Sequence, residues 1–247
     1  MSKGIGKEFM EKTKYEYAEP SDQEKGVPQP SLELEWDENS VLIDLPSPEN
    51  LVVKGMDLRK AIETRRSLRK YADIPLTLDE LSYLLWCTQG VKKVSSRPAT
   101  LRTVPSAGAR HAFETVLLIN NVEGIKPGLY RYIALSHKLI EITTEPEIAD
   151  KVAVACNDQE FIKNSAATFI WVAVVDRMKW RYGERGYRYL HLDAGHVCQN
   201  LYLTAESIDC GACAIGAYDD NKINSLLNLD GENQFVIYAA TVGKRIQ

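Results

Sequence analysis

Cationic side chains cluster in one short stretch of a chain that is acidic overall. Arg65, Arg66, Arg69 and Lys70 surround Ser67, whereas the 247 residues together carry 30 Lys and Arg against 34 Asp and Glu, a net charge of -4. Guanidinium groups bind phosphate well because their N–H donors lie in one plane and match its oxygens. The stretch therefore predicts a site for an anionic group.

A run of small residues lies further along the chain. Pro105, Ser106, Ala107 and Gly108 lead to Arg110 and His111, and small side chains allow a flat ligand to approach the backbone closely. Two later stretches complete the candidates: Gly216 with Ala217, and Gly243 with Lys244.

Nucleotide-binding loops and hydrolytic triads are not indicated by the spacing. No G-x-G-x-x-G follows a strand pattern, and Gly211 to Gly216 has the glycine spacing of a P-loop without the Lys-Ser/Thr that should follow. No Ser-His-Asp set or carboxylate pair stands out either. A Rossmann or P-loop site is therefore excluded as the main interpretation.

No metal site is predicted. Cys210 and Cys213 form a C-x-x-C pair without a second pair of ligands nearby, so buried packing is favoured over a redox or zinc role. His191 and His196 are five residues apart and fall on different faces of a helix, which does not suit a shared metal. We interpret His196 as a hydrogen-bonded helix residue.

Composition limits the partners and the compartment. A net acidic chain lacks the basic face of a nucleic-acid-binding protein. The longest apolar run, Phe169 to Val175, is too short to cross a bilayer, and the polar N-terminus has no signal-peptide core. Five cysteines without framework spacing suit a reducing compartment. We expect a cytoplasmic protein that binds neither nucleic acid nor membrane.

The first 50 residues differ from the rest in pattern. They are polar, rich in Pro, Glu and Lys, and show no sustained period, which predicts an extended N-terminal arm followed by one domain over residues 51–247. Short apolar runs at Val41 to Ile43 and Leu51 to Val53 could lie along a surface or a partner subunit. A partly ordered tail is the alternative.

Two helices follow the arm. Asp57 is a predicted N-cap for a helix that ends at the cationic stretch near Arg65. Thr77 and Glu80 form a capping-box pattern for the next helix, which Gly90 ends. A basic, Ser-rich loop is predicted from Lys92 to Arg102.

Strand patterns fill the middle of the chain. A hairpin is predicted around Ser136 and His137, and the continuous apolar run from Thr168 to Val175 predicts a central strand that is buried on both faces. The other predicted strands are 114–119, 128–133, 138–142, 211–217 and 234–242. A helix is predicted within 145–158 and another near 221–227.

The longest helix pattern begins near Tyr187 and continues to Ile208 with apolar residues at three- and four-residue steps. Gly195 inside it costs about 1 kcal/mol relative to Ala, which suggests close helix packing, with a dimer contact as one explanation. Helices alternate irregularly with short strands along the chain. The fold class predicted is therefore α+β rather than a regular βαβ series.

Four motifs in order resemble the nitroreductase superfamily of FMN enzymes and, within it, the SagB-type dehydrogenases. They are Arg-Arg-Ser-Leu-Arg at 65–69, Pro-Ser-Ala-Gly-Ala-Arg-His at 105–111, Tyr-Gly-Glu-Arg-Gly-Tyr-Arg-Tyr at 182–189 running into Asp-Ala-Gly-His, and Cys-Ala-Ile-Gly-Ala-Tyr-Asp-Asp at 213–220, with a final Val-Gly-Lys. The resemblance extends from about residue 51 onward. It implies a homodimer whose central, mostly antiparallel sheet is flanked by helices.

The resemblance also assigns the cofactor contacts. It places Arg65 and Lys244 on the FMN phosphate, with Arg245 as a further candidate and Ser67 supplying a hydroxyl. Arg69 is the candidate that stabilises negative charge at N1 and the C2 carbonyl of the flavin. Arg66 shares the motif, and we expect Arg66, Lys70 or both to face solvent. Gly243 precedes the phosphate-binding Lys244.

The flavin N5 is assigned a backbone N–H from Gly216 or Ala217, which follow Ile215. Pro105, Ser106, Ala107 and Gly108 resemble the loop that reaches the flavin from the other subunit, so the site would be complete only in a homodimer. Tyr182, Tyr187, Arg110 and His111 are candidates for the substrate side, each with a structural role as the alternative.

The implied activity is ping-pong hydride transfer from NADH or NADPH to a small nitro, quinone or similar acceptor. Relatives that oxidise azolines in modified peptides use a Lys-Tyr pair that falls near Arg181 and Tyr182. An arginine is a poor base, since its pKa lies above 12, so this position departs from the pattern. The alternative is an FMN-containing dehydrogenase or scaffolding subunit of a peptide-modifying complex, with residues 1–50 as its docking element.

Overall fold

The computed structural model describes residues 4–53 and 55–246. Its helices are α1 (Ile5–Lys12), α2 (Leu58–Thr64), α3 (Leu78–Gln89), α4 (Ile148–Ala155), α5 (Val175–Tyr182), α6 (Gly186–Ser207) and α7 (Asp220–Leu226). Its strands are β1 (Leu42–Asp44), β2 (Val91–Val94), β3 (Thr100–Arg102), β4 (Phe113–Ile119), β5 (Gly128–Ile133), β6 (Lys138–Thr143), β7 (Ala167–Val174), β8 (Cys210–Ile215) and β9 (Gln234–Lys244). The predicted α+β class is confirmed.

Seven strands form the main sheet in the order β1-β6-β5-β4-β7-β9-β8. Every neighbouring pair is antiparallel, as the resemblance implies. β7 lies inside the sheet between β4 and β9, and all eight of its residues are buried. The continuous apolar run was therefore correctly predicted as a central strand, since such a strand is covered on both faces.

Helices cover both faces of this sheet. On one face α3 and α6 pack against side chains such as Phe169 and Trp171. On the other face α4 and α7 pack against Val116, Ile170 and Val172. Alternate residues of one strand therefore belong to two separate cores, because successive side chains point to opposite faces.

The predicted helix signals also agree with the structure. The Asp57 carboxylate accepts from the Lys60 amide 3.0 Å away at the start of α2. Thr77 and Glu80 form the complete capping box of α3, whose C-cap is Gly90. These reciprocal bonds satisfy amides that a helix start would otherwise leave without partners.

The stretch from Lys92 to Arg102 was predicted wrongly as a loop. β2 and β3 pair there as an antiparallel hairpin with a register shift between Val91 and Lys93. The strands are only four and three residues long, and most of their side chains are exposed. A short strand that is mostly solvated lacks the apolar alternation on which the prediction depended.

The N-terminal segment lies along the domain in the structure. It contains α1, and its strand β1 pairs with β6 at one edge of the main sheet. The division at residue 50 stays a prediction, although a strand from within the predicted arm belongs to the sheet. Over the part of the chain that the structure describes, no helix is both long and apolar enough to span a bilayer.

Candidate functional site

The cationic stretch is held against strand β8. α2 ends at Thr64, and Arg65 is its C-cap. Ser67 pairs with Ala212 in a parallel bridge, and the Leu68 amide donates to the Ala212 carbonyl at 2.9 Å. A Cβ added to Gly211 would lie 2.6 Å from Leu68 Cδ2, so the turn can approach the strand this closely only because that residue is glycine.

Tyr202 of α6 connects the turn to the sheet. Its ring lies 5.0 Å from the Arg65 guanidinium carbon, and its oxygen is 2.9 Å from Ser67 Oγ. The Ala214 amide donates to the same oxygen at 2.8 Å. Because the tyrosine oxygen accepts from Ala214, its own proton can bond to Ser67. The exposed Ser67 hydroxyl then keeps its proton for an external acceptor.

Four cations of the turn have no carboxylate beside them. Within the described ranges, Arg65, Arg66, Arg69 and Lys70 form no ion pair. Arg65 is half-buried, and the other three are exposed. No carboxylate of the described residues therefore neutralises this cluster. Exposure of Arg66 and Lys70 agrees with the expectation that at least one of them faces solvent.

Lys244 and Arg245 reach the same region but are already paired. Lys244 Nζ contacts the Glu80 carboxylate, and Arg245 Nη2 contacts that of Glu206. Burial lowers the pKa of Lys244 and the hydrogen bond to Glu80 raises it, with a net rise. Glu206 also accepts from Thr64 Oγ1 at 3.1 Å, which places Arg245 beside the end of α2. Both pairs were missed by sequence reasoning because their partners are distant in the chain.

Gly243 has a packing role that the sequence did not reveal. A Cβ at this position would lie 2.8 Å from Tyr71 Cδ1. The Tyr71 hydroxyl donates to the Leu68 carbonyl at 2.6 Å and lies 2.7 Å from Thr241 Oγ1. Gly243 therefore lets Tyr71 close over β9 and fix the end of the cationic turn.

The end of β8 is open. Ile215 is buried in the core beneath the sheet, whereas Gly216 and Ala217 are exposed. A Cβ added to Gly216 would meet nothing within 4 Å. The space above Gly216 is thus available to a ligand.

The loop of small residues, Pro105 to Gly108, packs against a different part of α6 from the cationic turn. The Ala107 amide is 3.2 Å from each carboxylate oxygen of Asp193, and Ser106 Oγ accepts from the His111 amide at 2.9 Å. Burial raises the pKa of Asp193. Gly108 has a φ of +55°, and a Cβ there would lie 2.5 Å from the Tyr182 hydroxyl. Pro105, which begins the loop, is exposed.

The four candidates for the substrate side differ in their exposure to solvent. Arg110 and His111 are buried, and burial together with Arg102 and Arg110 lowers the pKa of His111 to about 3. Tyr182 and Tyr187 are half-buried. Tyr182 packs edge-on against Tyr189 with centroids 4.7 Å apart. The two tyrosines are therefore the accessible members of this set.

The two groups of residues are separated along α6. Asp193 supports the small-residue loop and Tyr202 supports the cationic turn, nine residues further on. At 1.5 Å per residue, this spacing corresponds to about 14 Å. One chain thus brings Arg65, Ser67, Lys244 and Arg245 together but leaves Pro105 to Gly108 at the other part of the helix.

The cysteine pair is buried beside the site. Cys210 and Cys213 are free thiols in β8. Burial raises the pKa of Cys210 to about 12 and also raises that of Cys213. Neither thiol is activated, which agrees with a packing role.

The structure is thus an antiparallel sheet with helices on both faces and with a cluster of cationic side chains held beside α6. Residues 62–244 match the model of the nitroreductase family, so the chain belongs to the nitroreductase family. The Methanocaldococcus jannaschii protein MJ1384 is 35% identical over 205 residues, which cover 83% of this chain and 97% of that protein. The trifolitoxin-processing protein TfxB of Rhizobium leguminosarum is 29% identical over 154 residues, 61% of this chain and 41% of TfxB.

Solved structures agree with this assignment. An Anabaena variabilis protein, provisionally described as a nitroreductase, superposes with a TM-score of 0.68 at 27% identity and covers 85% of this chain and 42% of its own. A chain of the Escherichia coli microcin synthetase McbBCD complex, with truncated pro-MccB17 bound, gives 0.63 at 21% identity and covers 98% and 92%. A Desulfovibrio desulfuricans structure in complex with FMN gives 0.54 at 17% identity and covers 78% and 88%. The predicted nitroreductase-like fold is confirmed.

Proposed function

We propose that the protein is an FMN-dependent oxidoreductase that transfers hydride between NADH or NADPH and a small organic acceptor. The observation that carries this proposal is the cationic turn, which holds guanidinium groups outside any ion pair of the described residues and an exposed Ser67 hydroxyl against β8. Membership of the nitroreductase family supports the oxidoreductase class.

The residues present fit FMN. Arg65 and Ser67 offer donors to a phosphate, and Tyr202 holds both of them in place. Arg69 is exposed on the same turn and would stabilise negative charge at the pyrimidine end of the ring. The open space at Gly216 suits a flat ring beside the backbone N–H of Gly216 or Ala217. When bound, FMN would supply hydride acceptance and donation.

Lys244 and Arg245 would attract the phosphate less strongly than the sequence suggests, because each is paired with a carboxylate. Glu80 and Glu206 neutralise much of their charge, so their main effect is to place α3 and α6 next to the turn. We assign the principal phosphate contact to Arg65 and a minor contact to Arg66.

A second copy of the chain would complete the site. Asp193, which holds the loop from Pro105 to Gly108, lies about 14 Å along α6 from Tyr202, which holds the cationic turn, and we infer that the loop serves the site of the second copy. α6 also presents an exposed stripe that includes Leu192, Gly195, His196 and Gln199, of which Leu192 is 59% exposed. Pairing through this stripe would bring each loop to the partner's turn.

The acceptor side is assigned to Tyr182 and Tyr187. Both are partly accessible, and neither Arg110 nor His111 is, so the buried pair would shape the loop rather than contact the substrate. Arg181 holds its guanidinium carbon 5.7 Å from the Tyr182 ring. An arginine cannot remove a proton at neutral pH, so direct hydride transfer to a nitro or quinone acceptor is favoured over azoline oxidation.

Steady-state kinetics tests the proposed activity. The purified protein with FMN should oxidise NADH or NADPH in the presence of a quinone or nitroaromatic, and double-reciprocal plots at several acceptor concentrations should be parallel. Intersecting lines would contradict a ping-pong order. No turnover with either donor would contradict the activity itself.

A peptide-modifying complex is the second candidate, favoured by the similarity to TfxB and to the McbBCD chain. In this case the protein would be a dehydrogenase or scaffolding subunit, with residues 1–50 as a docking element. Turnover of small acceptors by the protein alone would favour the first proposal. Activity that appears only after partner proteins are added would favour the second.

A further inference from the structure

The middle of the N-terminal segment contacts α5 through main-chain groups. The Gln23 amide donates to the Trp180 carbonyl at 2.8 Å, and the Trp180 indole N–H donates to the Val27 carbonyl at 2.7 Å. Arg177 Nε donates to the Ser31 carbonyl at 2.8 Å. We call residues 13–34, which carry these contacts, the strap. Its bonds fall on successive turns of α5.

The strap also adds hydrogen bonds to a buried ion pair, in which Arg177 Nη1 stays without a partner among the described residues. Arg177 Nη2 lies 2.6 Å from Glu114 Oε1, and the two side chains are only 3% and 5% exposed. The Leu34 amide donates to the same Glu114 oxygen at 2.9 Å. A buried pair is costly unless further hydrogen bonds satisfy its atoms. The strap supplies one such bond to each partner and thereby ties α5 to β4.

The beginning of the strap contacts residues that follow α5 in the chain. Arg185 Nη1 donates to the Thr13 carbonyl at 2.7 Å, and the Tyr15 and Tyr189 hydroxyls are 2.9 Å apart. Tyr182 is the last residue of α5 and precedes these contacts in the chain, and it lines a cavity of about 380 Å³ together with strap residues such as Tyr17. The strap therefore contacts the chain both before and after Tyr182.

We propose that the strap positions Arg181 and Tyr182 at the C-terminal end of α5 and so sets the acceptor side of the site, an inference that rests on the proposed function. α5 has only eight residues, and an isolated helix of that length is not stable in water. Its position must come from tertiary contacts. The main chain of the strap forms three hydrogen bonds with it, one to the Trp180 carbonyl and two from the Arg177 and Trp180 side chains. Trp180 and Arg177 are then positioning residues: they fix the place of Tyr182, and Tyr182 contacts the acceptor.

Hydrogen exchange tests the positioning without requiring turnover. Trp180→Phe removes the indole donor to Val27 but retains an aromatic ring beside Arg110, whose guanidinium carbon is 5.2 Å from the Trp180 ring. We expect amides of residues 176–183 to exchange about three- to tenfold faster, as the loss of one hydrogen bond allows, with β8 and β9 unchanged. Trp36→Phe is the matched control and should alter neither region. Unchanged exchange in Trp180→Phe would overturn the proposal, whatever the enzyme does.

A double-mutant cycle then tests whether the strap acts through Tyr182. Trp180→Phe should lower kcat/KM for the acceptor in the wild-type background, with FMN retention unchanged, and have little further effect when Tyr182 is already Phe, because the effects of residues that act through one another are not additive. If Trp180→Phe lowered kcat/KM by the same factor in the wild-type and Tyr182→Phe backgrounds, the role assigned to the strap would be overturned. A wild-type protein that retains no FMN would instead refute the proposed function, and the exchange result would still decide whether the strap holds α5.

Discussion

At the scale of single residues, the hydrogen bond between Tyr202 and Ser67 determines what the cationic turn can offer a ligand. Tyr202 is 8% exposed, accepts from the Ala214 amide and orients Ser67. Removing its oxygen leaves a partly buried amide without its acceptor, a loss that costs about 1–3 kcal/mol.

The prediction for Tyr202→Phe is therefore twofold. The free energy of unfolding should fall by about 1–3 kcal/mol in urea, and FMN should bind more weakly because Ser67 loses its orientation. Tyr17→Phe removes only an exposed 3.4 Å contact to Glu11 and is the matched control, with an expected change within about 0.5 kcal/mol. Equal effects of the two substitutions would contradict the role of Tyr202.

Two of the three arginines of the turn, Arg65 and Arg69, should separate binding from reactivity. Arg65→Ala removes a charge-assisted contact worth about 1.5–3 kcal/mol and should raise the FMN Kd roughly 10- to 100-fold. Arg69→Ala should retain FMN but slow its reduction by NADH or NADPH in stopped-flow measurements. Lys70→Ala, at an exposed neighbour, is the control. Equal flavin loss in the Arg65 and Arg69 variants would remove this division of roles.

His111 should make folding sensitive to acid. Its pKa is lowered from 6.5 to about 3 by burial and by Arg102 and Arg110. The unfolded state therefore binds a proton below pH 6.5 that the folded state excludes down to about pH 3, so stability falls as pH falls through this window. Between pH 7.5 and 5 the loss from this group is about 2 kcal/mol.

Urea unfolding of His111→Asn at the two pH values measures this contribution. Asparagine tolerates the positive φ of 43° at this position. The variant should lose about 2 kcal/mol less than the wild type between pH 7.5 and 5. An identical pH dependence in both proteins would contradict the burial of a neutral imidazole.

At the scale of elements, β8 must accept the cationic turn at close range. Gly211→Ala places a Cβ 2.6 Å from Leu68 Cδ2, so the turn must move away from the strand. We expect a loss of about 1–3 kcal/mol in unfolding free energy and weaker FMN binding. Gly6→Ala on α1, where a Cβ would meet nothing within 4 Å, is the control and should be neutral or slightly stabilising. Retained affinity in Gly211→Ala would show that close contact is not needed.

The elements also show which parts of the fold are readable from sequence. β7 and α3 were predicted from signals within their own residues, the continuous apolar run and the capping box. The β2–β3 hairpin and α5 lack such signals. α5 is rich in charged residues, and its position depends on the Ser31 and Val27 carbonyls, more than 140 residues away in sequence. Contacts between residues so far apart in sequence produce no pattern within the helix's own residues from which the helix could be predicted.

The same limit applies to the site. The spacing of the arginines around Ser67 predicted an anion site, but the neutralisation of Lys244 by Glu80 and of Arg245 by Glu206 depends on the packing of α3 and α6. The support from Tyr202 was likewise absent from the candidates. A tyrosine in a long amphipathic helix does not differ in sequence from any other core aromatic residue.

At the scale of the whole molecule, the proposed site needs two copies of the chain. Leu192→Glu adds charge to the exposed stripe of α6 without disturbing the core of one chain, because this side chain is 59% exposed. Sedimentation should show a dimer for the wild type and a shift to monomer, with loss of FMN, for the variant. Val154→Glu, at an exposed position of α4 on the opposite face of the sheet from α6, is the control. A monomeric wild type that retains FMN would contradict the shared site.

FMN binding by the purified wild-type protein is the decisive test of the proposed site. We expect a yellow protein, or an apoprotein that takes up added FMN, with a bound-flavin absorption spectrum and a raised Tm. A colourless protein to which FMN adds neither a bound spectrum nor thermal stabilisation would contradict it.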